Sequence, residues 1–447
     1  HEDGDVKFTY GGDHSEIKHD SNFCVDGLFS PNREAHPGAE QMKNCYRPVR
    51  AKRVTDNEYE FFNHKYFENA DLTVKYEVFE DCKSVKNGGF DISVEPQREE
   101  KIKIDLSVKK DSHTVIVFKY YEDDFEVASE QFVLSDAECK FTAPDCDAPK
   151  IAETFDNFNS KNFYIQSNDF ELLVNKSNGK IMSYIYKGEQ LVNQTPAYFE
   201  KGIEPVLFRA PLDNDMYMKK NWEKYDLANA KASLTKSKRK ILDKSVVLEN
   251  SYLISTPNYK YLADARVNYE IFGNGEIKVD VFFDYVSKIR NIPRFGVLVE
   301  LPSHFENIKY FGLGDIENLS DFKEQAVFGN YETTVSNMEH KYIKPQESGM
   351  RTETRFAELT GKGKIGVRFV FNARHSLSQD LAKVSHQEEI EKRNTTAVYI
   401  DGYMLGAGSN ACGPIPSAEH KIAKGNKKFA FSFVIKPFEF EECEADE

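Results

Sequence analysis

The residues best suited to chemistry sit near the start of the chain, in Asn22-Phe23-Cys24-Val25-Asp26-Gly27-Leu28. Phe23 and Asp26 are three residues apart in a loop bounded by Gly27. An aromatic face and a carboxylate can therefore turn toward one cavity. That pair suits a sugar: the ring lies against C–H groups, and the carboxylate accepts from hydroxyls. From these residues alone, an ordinary loop with one buried Phe and one turn Asp is the simpler reading. Just upstream, Gly11-Gly12-Asp13 allows a tight turn that leaves a carboxylate exposed.

Other polar groups are weaker candidates. Asp213 and Asp215 tempt as a catalytic pair, since retaining glycosidases need carboxyls about 5–5.5 Å apart. In the turn Pro211-Leu212-Asp213-Asn214-Asp215, however, the expected task is capping backbone N–H groups. Nothing in the sequence gives Glu347 or Glu353 a partner. His14, His19 and His36 lie near Cys24, but a loop histidine is more often a surface residue than a general base. Gly406-Ala407-Gly408 is followed by no helix signal and reads as a turn, not a phosphate loop.

The elements that must position these residues are mostly strands. A short segment of helical character is expected between Pro31 and Pro37. Beyond Cys45 the text turns to alternation. Leu72, Val74, Tyr76 and Val78 point one way, and Ile102, Ile104, Leu106 and Val108 repeat the pattern. His113–Tyr120 and Gln131–Leu134 add strands, which predicts a small immunoglobulin-like sandwich. A connector is expected over 143–159. A large all-β region follows over 163–440. Hairpins are expected about Asn178-Gly179 and Asn274-Gly275, with Val267, Tyr269 and Ile271 facing Ile277, Val279 and Val281. Further strands are expected at Ile365–Phe371, Ala397–Ile400 and Phe429–Ile435, with one short helix at Ser378–Ser385. The Lys-rich run 231–244 and the acidic run 439–447 read as solvated surface.

The chain has 447 residues, a length that predicts two to four domains. Its net charge of -14 argues against nucleic acid and anionic membranes and is compatible with a neutral ligand. No apolar run approaches the roughly 20 residues that span a bilayer. The first residue is His1 and no leader pattern follows it, so a fragment or processed piece is expected. Seven scattered cysteines without metal spacing read as mostly reduced thiols in a cytoplasmic protein. A Cys139–Cys146 pair in an oxidising compartment stays open.

Several segments resemble β-galactosidases of glycoside hydrolase family 2. They are Tyr10-Gly11-Gly12-Asp13, Phe23-Cys24-Val25-Asp26-Gly27-Leu28 and Pro31-Asn32-Arg33-Glu34-Ala35-His36-Pro37 near the start, then Phe62–Phe67 with Asp71-Leu72. Farther on are Arg209-Ala210-Pro211-Leu212-Asp213-Asn214-Asp215, Phe311-Gly312-Leu313-Gly314 with Glu317-Asn318, Tyr342–Arg351, and Asp401–Gly408 with Cys412-Gly413-Pro414. The resemblance implies three parts: residues 1–46 as the end of a (β/α)8 catalytic barrel, 47–147 as an immunoglobulin-like sandwich, and 158–441 as the large C-terminal sandwich. The chain departs at Leu319-Ser320-Asp321-Phe322, where many members carry Tyr-Pro-Asp-Arg. That departure is expected to leave the sugar site untouched.

The resemblance also implies roles. Both catalytic glutamates would precede residue 1, so the chain is expected to be inactive alone. It is expected to be part of an enzyme that hydrolyses terminal β-D-galactose, as in lactose, with retention. The alternative is a non-catalytic small subunit that completes another chain's barrel. Phe23 and Asp26 would lie at the barrel mouth, with the Asp26 side chain and the Phe23 carbonyl holding sodium beside the sugar. Oxygen ligands suit that hard cation. Magnesium would be held in the complete enzyme by residues outside this chain. Cys412 falls where some members place a stacking Trp, and would leave a wider aglycone side; a small buried turn residue is the equal alternative. Partners implied are a β-galactoside, the missing barrel and N-terminal domains, and further copies in a homo-oligomer.

Overall fold

The computed structural model describes residues 7–137, 141–155, 161–192, 203–285, 289, 291–369, 372–422 and 427–441. These residues are mainly β, in five antiparallel sheets. The N-terminal part carries a short 3-10 turn, Ser21–Val25, and a helix, Pro37–Cys45. The residues between Pro31 and Pro37 are not helical: Phe29 bridges Ala35, and the helix begins at Pro37 itself. Proline suits a first helical position, where its missing N–H costs nothing. That helix packs on the strand Phe125–Asp136. Asn44 Oδ1 accepts from the Ser129 N–H at 2.7 Å, and Arg47 pairs with Glu130 at 2.7 Å.

Two sheets follow. One orders the strands Val49–Arg53, Glu58–Asn63 and Glu99–Lys103; the other orders Lys83–Val94, Ala70–Glu80, His113–Glu122 and Phe125–Asp136. Their inward faces close one core around Tyr59, Phe61, Val74, Ile116 and Phe118. The strand expected through Val108 stops at Lys103. From Ile104 the backbone leaves the ladder, with Ile104 N–H donating to the Asn57 carbonyl, while Ile104 and Leu106 still point into the core.

A larger core runs from Phe163 to Ile435. Its principal sheet has nine strands, from Lys231–Ile241 at one edge to Phe328–Thr334 at the other. The hairpin about Asn274-Gly275 has the expected register: Ile271 faces Ile277, Tyr269 faces Val279 and Val267 faces Val281. Gly275 has φ +90, a conformation that glycine adopts without strain. The Lys-rich run is exposed as expected, but it is an edge strand, where lysines discourage pairing with another chain. The connector is shorter than expected, because Lys150–Phe155 pairs with Lys161–Gln166 as a fifth strand of another sheet. The short helix ends at Leu381. Cys139, one half of the possible Cys139–Cys146 pair, and the end of the acidic run lie outside the described residues.

A third cluster joins the two cores. Phe79, Val115 and Val117, on strands of the smaller sandwich, pack with Phe311, Leu313 and Phe328, on strands of the larger. The N-terminal segment is also tied to the large sandwich. Tyr10 donates its hydroxyl to the Ser385 carbonyl at 2.7 Å and stacks on His386, and His386 Nε2 lies 2.9 Å from Asp13.

Candidate functional site

Five chain segments far apart in sequence meet around one cavity of about 750 Å³, three of them carrying residues weighed from the sequence. The N-terminal loop contributes Phe23 and Asp26, the turn after Arg209 contributes Asp213, and the loop after Gly408 contributes Cys412. All three residues singled out from the sequence, Phe23, Asp26 and Cys412, thus line the same space. Phe23 is 57% exposed, so the reading of a buried loop Phe does not hold. Cys412 is also exposed, which removes the buried-turn reading.

The Asp26 loop is held by a polar network. Asn22 is buried, and its Nδ2 donates to Asp26 Oδ1 at 3.0 Å and to Asp213 Oδ1 at 2.9 Å. Its Oδ1 accepts from Lys344 Nζ at 3.1 Å. Protein crowded around the Asp26 carboxylate, and then the charge of Asp213, raise its pKa to about 6. The Asn22 hydrogen bond and the Lys344 charge oppose that rise. Asp26 retains solvent access, so it can meet a ligand. Asp26 Oδ2 accepts no hydrogen bond among the described residues.

The turn at 213–215 divides its labour. Asp215 caps as expected, accepting from Leu212 N–H at 2.7 Å, and is buried against Arg209 at 2.5 Å. Asp213 does not cap; its carboxylate faces Asn22 and the cavity. Glu347 has partners that the sequence did not reveal. It is buried between Arg294, at 2.7 Å, and Arg374, and accepts from Ala210 N–H at 2.9 Å. Burial would raise its pKa, but Arg374 and Arg294 hold it at about 2. It is a structural anion that anchors the turn after Arg209. Glu353 stands 3.6 Å from Arg355, away from the cavity.

The departure at Leu319–Phe322 does touch the site, contrary to expectation. Leu319, Asp321 and Phe322 line the cavity. Asp321 accepts from the N–H groups of Ala407 and Gly408, at 2.7 and 2.9 Å, and so fixes the start of the Cys412 loop. A Cβ at Gly406 would lie 2.5 Å from Asp321 Oδ2, so glycine is required for that approach. Sequence reasoning missed Asn22, Asp321 and Lys344 as site residues because their partners are remote: Asn22 and Asp213 are 191 positions apart, Asn22 and Lys344 322.

The class defined by this architecture is a mainly β protein with two sandwich cores, in which the larger sandwich and an N-terminal loop-and-helix segment line a shared cavity. Residues 166–435 match the family described as beta galactosidase small chain, and residues 1–51 match the family described as glycosyl hydrolases family 2, TIM barrel domain. The chain belongs to the beta galactosidase small chain family.

It is 28% identical over 453 residues to a beta-galactosidase of Actinobacillus pleuropneumoniae, covering 96% of this chain and 43% of that protein. It is 28% identical over 465 residues to one of Staphylococcus xylosus, covering 97% and 44%. For one of Lactococcus lactis subsp. lactis (strain IL1403) the identity is 29% over 472 residues, covering 96% and 45%. The chain therefore spans less than half the length of these relatives. A galactose mutarotase-like protein from Clostridium acetobutylicum overlays 66% of this chain and 99% of its own at a TM-score of 0.37 and 12% identity, a likeness too low to carry function across.

Proposed function

We propose that this chain is the C-terminal part of a β-galactosidase that hydrolyses terminal non-reducing β-D-galactose with retention. The observation that carries the reading is the shared cavity: Phe23 and Asp26, in the stretch matching the family 2 barrel, line it together with Cys412, in the stretch matching the small chain. On this reading residues 1–46 close the barrel, and both catalytic glutamates belong to barrel strands outside these residues. Residues 47–147 and 158–441 are the two sandwiches.

The chain's contribution is to shape the sugar site. Phe23 offers a ring face, Asp26 accepts from sugar hydroxyls, and Cys412 leaves the aglycone side wide. The oxygens present fit sodium: the Asp26 carboxylate has a free Oδ2 beside a second carboxylate, Asp213, which favours a bound cation. Asp26 and the Phe23 carbonyl would hold it, and its charge would orient hydroxyls. Magnesium would be held outside this chain. We further propose a homo-oligomeric, cytoplasmic enzyme; no helix among the described residues is long and apolar enough to cross a membrane.

The test compares the chain alone with the protein carrying its upstream barrel segment, on a chromogenic β-galactoside. The longer protein should turn over and release β-galactose first, seen by NMR, and the 447-residue chain should not. Turnover by the pure chain would overturn the assignment of the glutamates. A second reading is a non-catalytic subunit that completes another chain's barrel. It is favoured by apolar side chains left exposed on the N-terminal segment, including Phe23 and Phe29, each 57% exposed. Size-exclusion chromatography with and without the barrel segment separates the two.

A further inference from the structure

The orientation of the Asn22 amide is set by its neighbours. Its NH2 group faces two carboxylates, Asp26 and Asp213, and its oxygen faces the Lys344 ammonium. Flipping the amide would turn all three contacts repulsive, so the network itself selects this orientation. Three of the four hydrogen-bonding positions of a buried amide are filled, each by a charged group, and such bonds are the stronger kind. The partners lie on different parts of the chain: Asp26 is on the N-terminal loop, whereas Asp213 and Lys344 are on the large sandwich. Asp213 is itself fixed, its N–H donating to Gln346 Oε1 at 2.9 Å, two residues from Lys344.

We propose that Asn22 is a positioning residue: it latches the Asp26 carboxylate to Asp213 and Lys344, so that the sandwich decides where a sugar hydroxyl is met. Asn22 does not touch the sugar. It holds Oδ1 of Asp26 and leaves Oδ2 for the ligand. Without it, the two carboxylates would repel across an unbridged gap and the loop would move away from the sandwich. Lys344 acts one step further back, by orienting the amide. This inference rests on the proposed function only for its kinetic consequence; the latch itself exists in the chain as it stands.

Two measurements test it. In this chain, hydrogen exchange of the backbone over 21–27 should speed up by about tenfold or more in Asn22→Ala and in Lys344→Met, with the sandwich cores unchanged. In the protein with its barrel, both variants should raise KM for a β-galactoside by about fivefold or more while kcat stays within about threefold, the mark of lost ground-state binding. In an Asp26→Ala background the effect of Asn22→Ala should shrink below about twofold, because Asn22 acts through Asp26. If Asn22→Ala fails to fold, Lys344→Met carries both measurements. Unchanged exchange at 21–27, or an Asn22→Ala effect that survives in full without Asp26, would overturn the latch. A wild-type protein inactive on every β-galactoside would overturn the proposed function, and the exchange result would still decide the latch.

Discussion

Nδ1 of His36 and Nε2 of His340 stand 2.7 Å apart, and the two rings meet edge to face. His36 precedes the helix Pro37–Cys45, and His340 belongs to the large sandwich, so the pair ties the N-terminal segment down. One ring must donate and the other accept, which a doubly protonated pair cannot do. Burial lowers the pKa of both rings, and for His340, with His36 adding to burial, to about 4.

The sign follows from linkage. The unfolded ring binds a proton near pH 6.5 and the folded His340 only near 4, so the unfolded state gains protons first as pH falls. Stability from this contact is complete above pH 6.5 and is lost progressively toward pH 4. Discounted for partial solvent exposure, the loss amounts to about 1–2 kcal/mol. Urea unfolding at several pH values should show it, and His340→Asn should flatten the slope in that window. An unchanged slope would mean that the pair does not link folding to pH.

Glu347 gives a prediction of opposite kind, large and insensitive to mild acid. Its carboxylate bridges Arg294 and Arg374, all three fully buried, and Arg294 also meets Asp401 at 2.9 Å. Removing one partner of a buried ion pair leaves charge uncompensated and costs about 3–5 kcal/mol. Glu347→Gln should lower the urea midpoint by that equivalent and loosen the turn after Arg209. Asp26→Ala, at the solvent-facing cavity, should change stability by less than about 0.5 kcal/mol. Equal effects of the two would show that Glu347 is not an anchor.

The contrast shows what the sequence makes legible. Alternation in Val267–Ile271 and Ile277–Val281 specifies strands, a face and a register, because a one-residue slip would turn the apolar set outward. Phe23 and Asp26 were legible as a pair because both lie in one short loop. The roles of Glu347 and Asn22 were not, since charge partners across a sandwich leave no local pattern. Ile104 and Leu106 show a further limit: alternation reports which way side chains point, and they do point inward, but it does not report whether a neighbouring strand is there to pair with. Asp321 was hidden because it bonds to backbone N–H groups, and the one residue type it demands nearby, glycine at 406, reads locally as an ordinary turn.

The N-terminal segment should be the first part of the chain to be cleaved. It exposes Ile17 at 97% and Phe23 and Phe29 at 57% each, and its ties to the rest are a few polar and ring contacts and the helix Pro37–Cys45. The sandwiches behind it are held by continuous ladders and dense cores. Limited proteolysis should therefore cut before Cys45 and spare residues 49–136, and the exposed side chains should bind a hydrophobic dye until that piece is removed. Equal protection of the segment and the sandwiches would show that its contacts are as strong as the cores.

Asp26 offers the sharpest functional test, made in the protein that includes the barrel. Its carboxylate accepts from Asn22 through Oδ1 and keeps Oδ2 for a ligand. Crowding and Asp213 raise its pKa to about 6, and a bound cation would draw it back down, since opposite charge favours the ionised form. Activity that depends on Asp26 should therefore fall off in acid at a lower pH when sodium is plentiful than when it is scarce. Asp26→Asn keeps an oxygen and has no charge to titrate; it should preserve most activity, weaken the sodium dependence and abolish that sodium-linked shift. Asp26→Ala loses the ligand oxygen and should raise KM more than it lowers kcat. If Asp26→Asn instead abolished turnover while sodium response and substrate affinity stayed intact, Asp26 would belong to the proton-transfer chemistry and not to sugar binding.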